Sequence, residues 1–260
     1  YSHHFTTELF EHIWPFSNAK FGKVLQQTGG RVACEIFANE GTFVFKGANP
    51  EAAEEDIIRD TFAFHFLKDK NFRHIPTLLK TRAGENYRNV DGRFVYVMEH
   101  IEGSKEGRSP EKWACLAEIA AELHDITDYP YESLFTIQSE LAQLEERAAE
   151  LPFRKEFMEV VKELPSFEGL SQSVIHTDLG LDNAIVQPDK TMILVDWDDV
   201  GVGTTILDLG FPLLFYFVDL EDFVTEKAGL VWPTKLRSRA TAFYNAYFSK
   251  RTLPDREKDL

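Results

Sequence analysis

His176-Thr177-Asp178-Leu179-Gly180-Leu181-Asp182-Asn183 is a polar run set between two apolar stretches. Val174-Ile175 before it reads as a short strand. After it, Ala184 to Gln187 and Met192 to Val195 read as a hairpin turning at Pro188-Asp189-Lys190. Asp196 closes the apolar run Met192-Ile193-Leu194-Val195, thirteen residues past Asn183. Oxygen-bearing side chains therefore recur on neighbouring turns: carboxylates at 178 and 196, and an amide at 183. Asp and Asn are ordinary turn formers. Yet three fixed positions at this spacing arise by chance only about 0.03 times in a chain of this length. A carboxylate can accept a proton from a hydroxyl, and an amide oxygen beside a second carboxylate offers hard ligands to Mg²⁺.

The spacing resembles the kinase catalytic loop H-x-D-x-x-x-x-N with a metal-binding Asp at the end of a later strand. More narrowly, the chain resembles the aminoglycoside phosphotransferase and choline kinase family. The carrying residues are His176, Asp178 and Asn183, then Val195-Asp196-Trp197-Asp198, then Leu207-Asp208-Leu209-Gly210. Thr177 stands where that family usually has Gly, Gly180 where His is common, and Gly210 where Ala is usual; none of these removes a ligand. The resemblance implies an α+β, protein-kinase-like two-lobe fold. A small β-rich N-terminal lobe is expected over residues 1–101 and a larger helical lobe over 102–260, with a ligand cleft between them. It also implies ATP and Mg²⁺ as cofactors, Asp178 as the base, and Asn183 and Asp196 as metal ligands. Asp208 would brace the loop by accepting backbone hydrogen bonds, and His176 would pack beneath it. Only eleven residues separate Asp196 from Asp208. That leaves no room for the peptide-docking activation segment of a protein kinase. The acceptor expected is a small-molecule hydroxyl.

The N-terminal hundred residues read as strands over 22–27, 31–38 and 42–46, a helix from Pro50 to about Lys70, and a hairpin turning at Asp91-Gly92. Lys46 ends the strong strand former Phe43-Val44-Phe45, where the resemblance places the lysine that holds the α- and β-phosphates. Gly29 and Gly30 sit on the preceding hairpin, where backbone N–H groups could approach phosphate. Asp60 shares a helical face with Ile57, Phe64 and Leu67 and is the expected partner of Lys46, with Glu55 as competitor. Val97 to Gly103 resembles the family's interlobe hinge. By that register Met98 lines the adenine pocket, while the Glu99 carbonyl and the Ile101 N–H meet the purine edge.

Beyond Gly103 the pattern turns helical, over 113–126, 134–151, 153–164 and, with interruptions at Pro212 and Pro233, 207–249. The acceptor pocket is expected among Asp178, Asp198, Asp199 and the segment holding Phe215, Tyr216, Phe217, Asp219, Glu221, Asp222 and Trp232. The chain carries 43 acids and 28 bases, a formal charge of −15. Nucleic acid and anionic lipid are thereby disfavoured as partners. Cys34 and Cys115 form no metal or disulfide pattern and fit a reducing, cytoplasmic setting. No apolar stretch is long enough for a membrane helix, and Tyr1-Ser2-His3-His4 does not read as a secretory leader. The first expectation is an aminoglycoside-phosphotransferase-like enzyme and the alternative a choline- or homoserine-type kinase; a catalytically dead nucleotide-binding regulator is disfavoured because Lys46, Asp178, Asn183 and Asp196 are all present.

Overall fold

The computed structural model describes residues 5–105, 107–149, 152–217 and 234–258. Contacts divide the chain into two compact units. One comprises the residues up to Lys105 together with Ala184–Asp198, and the other the remainder. The sequence suggested a single cut near residue 102, whereas the hairpin at 184–198 groups with the N-terminal residues. Its attachments show why. Ser104 and Val186 exchange two backbone hydrogen bonds of 3.0 Å, Leu194 N donates to His74 O at 2.9 Å, and His74 Nδ1 lies 2.7 Å from Met192 O.

The first unit holds a six-stranded sheet. Strands β1 (Lys20–Thr28), β2 (Arg31–Ala38), β3 (Gly41–Gly47) and β6 (Arg93–Glu99) pair antiparallel in sequence, with β4 (Leu78–Leu79) and β5 (Arg88–Val90) both on β6. Side chains alternate between the faces of a sheet. One face carries Cys34, Ile36, Phe45, Val95 and Val97 against Phe10 and Trp14 from helix α1 (Thr7–Ile13) and its cap. Lys46 and Tyr96 are direct cross-strand partners and point to the opposite face, with Phe64 of helix α2 (Glu54–Asp69) beside Tyr96. The three acids that open α2 complement the positive end of its dipole. The hairpin of β8 (Ala184–Val186) and β9 (Met192–Leu194) completes this unit.

Gly103 ends the connection from β6. A Cβ there would lie 2.4 Å from Val186 O, inside the Ser104–Val186 pairing. Gly103→Ala is expected to separate the two segments and cost about 1–3 kcal/mol, read as a fall in the unfolding midpoint.

The second unit is mainly helical: α3 (Pro110–His124), α4 (Ile137–Ala148), α5 (Arg154–Glu163), α6 (Thr205–Pro212), a π-helical turn (Leu213–Phe217), α7 (Thr234–Lys250) and α8 (Asp255–Lys258). Helix α3 starts on Pro110, whose missing N–H costs nothing at a first turn. Helix α4 begins later than hydrophobic periodicity suggests, because Thr136 and Ser139 form a capping box. Trp113, Phe217 and Phe243 pack α3, the π-helical turn and α7 together, all three rings fully buried.

Strand β7 (Gln172–Ile175) pairs antiparallel with β10 (Gly201–Thr204), which the sequence pattern did not reveal. Its glycines conceal it, since Gly is depleted in strands. They are there for space. A Cβ at Gly201 would lie 2.3 Å from Ser133 N, and one at Gly203 would lie 2.5 Å from Ile175 Cδ1.

Candidate active site

In the first unit, Lys46 is buried and its ammonium meets two carboxylates: Asp196 Oδ1 at 2.6 Å and Asp198 Oδ1 at 2.7 Å. Tyr96 donates its hydroxyl to Asp198 Oδ1 at 3.1 Å, and Arg31 Nη1 lies 3.3 Å from Asp198 Oδ2. Burial opposes the charge on Lys46, but the oxygens of Tyr96, Asp198 and Asp196 outweigh it and its pKa is held well above the usual lysine value. Burial, reinforced by the charge of Asp198, raises the Tyr96 phenol and keeps it a neutral donor. The D-W-D string explains the geometry. Trp197 turns into the core, donating Nε1 to Leu194 O at 2.8 Å and meeting Phe72 edge-on, and the carboxylates on either side of it reach Lys46. The turn costs backbone strain, since Asp196 and Asp199 hold φ of 66° and 68°.

Asp60 does not pair with Lys46. The helical face was read correctly, because Ile57, Asp60, Phe64 and Leu67 are all buried. But Asp60 Oδ1 takes the guanidinium of Arg59, with Nε and Nη2 each at 3.1 Å. The neighbouring fork satisfies Asp60, and the 196–198 turn supplies the negative charge around Lys46. Glu55 is exposed. Asp198, expected on the acceptor side, also moves: its contacts are with Lys46, Tyr96 and Arg31.

Gly29 and Gly30 form the two-residue turn from β1 to β2, with φ of 55° and 76°. Two successive left-handed residues are what such a hairpin turn requires. The turn is tied down, as Asn49 Nδ2 donates to Gly29 O at 3.2 Å and Arg93 Nη1 to Gly30 O at 2.6 Å. Met98 is buried two residues along β6 from Tyr96, and Ile101 is buried just beyond the strand. The Glu99 carboxylate accepts from Thr77 N and Oγ1 at 2.6 and 2.9 Å.

In the second unit, Asp208 is fully buried and organises the 176–183 loop. It accepts from His176 N at 2.7 Å and Thr177 N at 2.8 Å, as the sequence led us to expect. His124 Nε2 lies 3.2 Å from the same carboxylate, while His124 Nδ1 lies 2.8 Å from the Tyr247 hydroxyl. The His176 ring is fully buried. Thr177 holds a φ of 71°, which a β-branched residue rarely adopts; Gly is the natural occupant of such a backbone. Asn183 Nδ2 donates to Asp178 O at 3.0 Å and to Asp178 Oδ2 at 2.8 Å, leaving the amide oxygen of Asn183 as the group's acceptor end. Asn183 runs directly into β8, whose hairpin leads to Asp196.

Residues 35–234 match the family model described as "Phosphotransferase enzyme family". The chain belongs to that family. Among curated proteins, none matches it significantly. Solved structures share its protein-kinase-like fold at low identity. An amicoumacin kinase, in complex with AMP-PNP, Ca²⁺ and Ami, has a TM-score of 0.70 and 13% identity over 98% of this chain and 80% of its own. A microcompartment-associated aminopropanol kinase has a TM-score of 0.67 and 21% identity, covering 96% and 82%. An aminoglycoside phosphotransferase from Alicyclobacillus acidocaldarius has a TM-score of 0.63 and 14% identity, covering 91% and 76%.

This phosphotransferase carries a further cluster in the same unit as Asp178, in which Tyr216, expected on the acceptor side, meets Gly180, Asp182 and Arg108. Tyr216 lies against Gly180, and a Cβ at Gly180 would come within 2.5 Å of its hydroxyl oxygen. Arg108 stacks 5.0 Å from the Tyr216 ring centroid and reaches both oxygens of Asp182 at 2.9 Å. Tyr216 therefore occupies the space that a side chain at 180 would need. Gly180→Ala is expected to cost about 1–3 kcal/mol by overpacking. The same change beside Tyr216→Ala should cost less than the sum of the two single changes, which a double-mutant cycle of unfolding midpoints would read. Of the expected acceptor-side residues, Phe217 is core. Asp219, Glu221, Asp222, Trp232 and the Phe215 side chain lie outside the described residues. Among the described residues, no helix is long and apolar enough to cross a membrane.

Proposed function

We propose that this phosphotransferase moves the γ-phosphoryl group of ATP to a hydroxyl of a small molecule. The observation that carries the reading is Lys46, buried and held by Asp196 and Asp198, in a chain of this family whose Asp178 and Asn183 stand on a loop braced by Asp208. Phosphoryl transfer asks little covalent chemistry of a protein; it asks for aim and for neutralised charge. In this reading Lys46 binds the α- and β-phosphates, Met98 contacts adenine, and the Glu99 carbonyl and Ile101 N–H meet the purine edge. Asp178 accepts the proton of the acceptor hydroxyl as its oxygen bonds to the γ-phosphorus and the bond to the β–γ bridging oxygen breaks.

The donor set suits Mg²⁺: one carboxylate at 196 and one amide oxygen at 183, both hard ligands. Among the described residues no group of three or more His, Cys, Asp or Glu side chains forms a metal cage. In this reading the cation's remaining ligands are phosphate oxygens and water. Bound there, it would neutralise charge on the transferring phosphate. Nucleic acid and membrane have no part in the reading, which suits the net charge of −15.

The test is an ADP-release screen with ATP and Mg²⁺ over aminoglycosides, choline, homoserine, aminopropanol and simple sugars. Turnover with one of these supports the reading. A nucleotide-dependent rise in melting temperature without turnover on any acceptor favours a nucleotide-binding regulator instead.

A further inference from the structure

Kinase-like folds place a carboxylate from the first large helix on the phosphate-binding lysine. Here that helix offers Asp60, whose carboxylate is bonded to Arg59. The neighbours of Lys46 come from elsewhere. Tyr96 sits directly across from Lys46 in the β3–β6 register, on the same face of the sheet. It is buried, and its hydroxyl bonds to the Asp198 oxygen that also receives the lysine. The second oxygen of Asp198 faces Arg31, the first residue after the Gly29-Gly30 turn.

We propose that Asp198 and Tyr96 together position Lys46 for the nucleotide, replacing the helix carboxylate, and that Arg31 is held by the same aspartate as a second cation for the phosphates. The inference rests on the nucleotide reading above and assigns roles to three residues outside the loop motif. Asp198 fixes where the ammonium sits. Tyr96 fixes Asp198, because a neutral phenol donates without competing for charge. Arg31 is more exposed than Lys46, with 43% of its side chain accessible, and is placed to exchange a carboxylate for a phosphate oxygen.

The test uses the full chain and a fluorescent ATP analogue. Tyr96→Phe and Asp198→Asn are each expected to weaken nucleotide binding about tenfold and to raise the KM for ATP, leaving the KM for the acceptor in place. Asp60→Asn should lower the unfolding temperature, since it weakens the pairing of a buried Arg59, while affecting nucleotide affinity less than either. In a Lys46→Met background, Tyr96→Phe should weaken binding by less than twofold, because its effect passes through the lysine. Arg31→Lys should retain more affinity than Arg31→Ala. A ranking in which Asp60→Asn costs the most affinity overturns the proposal, as does an undiminished Tyr96→Phe effect in the Lys46→Met background. Unfolding midpoints for the Lys46–Tyr96 cycle need no nucleotide. If the wild-type chain binds none, the functional reading falls on its own, and independent additive midpoints would still refute a Lys46–Asp198–Tyr96 unit.

Discussion

Asp178→Asn is expected to lower phosphoryl transfer by about 10² to 10⁴-fold, the usual contribution of a positioned general base. At about 1.36 kcal/mol per factor of ten, that is roughly 3–5 kcal/mol of lost transition-state stabilisation. Nucleotide affinity should stay within about twofold, because Asp178 acts on the acceptor hydroxyl and not on the nucleotide. The loop should also survive. Asn183 Nδ2 donates to the backbone carbonyl of Asp178 as well as to its carboxylate, so one of the two tethers does not depend on the side chain. ADP release under saturating acceptor, measured beside binding of a fluorescent ATP analogue, separates the two effects. Transfer at the wild-type rate would remove Asp178 from its assigned role.

Asp208→Asn should produce the largest loss of stability. The carboxylate is fully buried and accepts from His176 N and Thr177 N, with His124 Nε2 also 3.2 Å away. An amide can keep one acceptor oxygen, but its NH₂ group must then face a donor it cannot satisfy. Breaking a buried charged contact on one side costs about 3–5 kcal/mol. For a chain of this size that corresponds to a fall of roughly 6–20 °C in the unfolding midpoint. Thermal unfolding checks it directly. A fall below 2 °C would mean that the loop holds its shape without this acceptor.

Much of the fold was open to sequence reading, for reasons visible in particular residues. Phe43-Val44-Phe45 is a strong strand former and becomes the middle of β3, and the Asp91-Gly92 hairpin forms as the turn residues dictate. The face of α2 was legible from the spacing of Ile57, Asp60, Phe64 and Leu67. Periodicity fixes a face, however, and not the cation that a carboxylate on it will meet. Arg59, one residue away, decided that for Asp60. The loop at 176–183 and the lysine at 46 could be picked out because chemistry restricts residue type at those spacings. Asp198 and Tyr96 were harder. Each belongs to the site only through alternation, one on the far side of Trp197 and the other two residues before Met98. Strand β10 was hidden because its glycines answer to steric pressure from Glu132, Ser133 and Ile175, which lie far away in the sequence.

The close approach of Tyr216 to Gly180 ties two distant positions into one choice. The ring at 216 fills the volume that a side chain at 180 would need, so position 180 cannot gain a side chain while Tyr216 is in place. Passage to such a side chain needs paired replacement, or an intermediate with small residues at both places. A change to a smaller residue at 216, thirty-six places downstream, must therefore come before or with any side chain at 180.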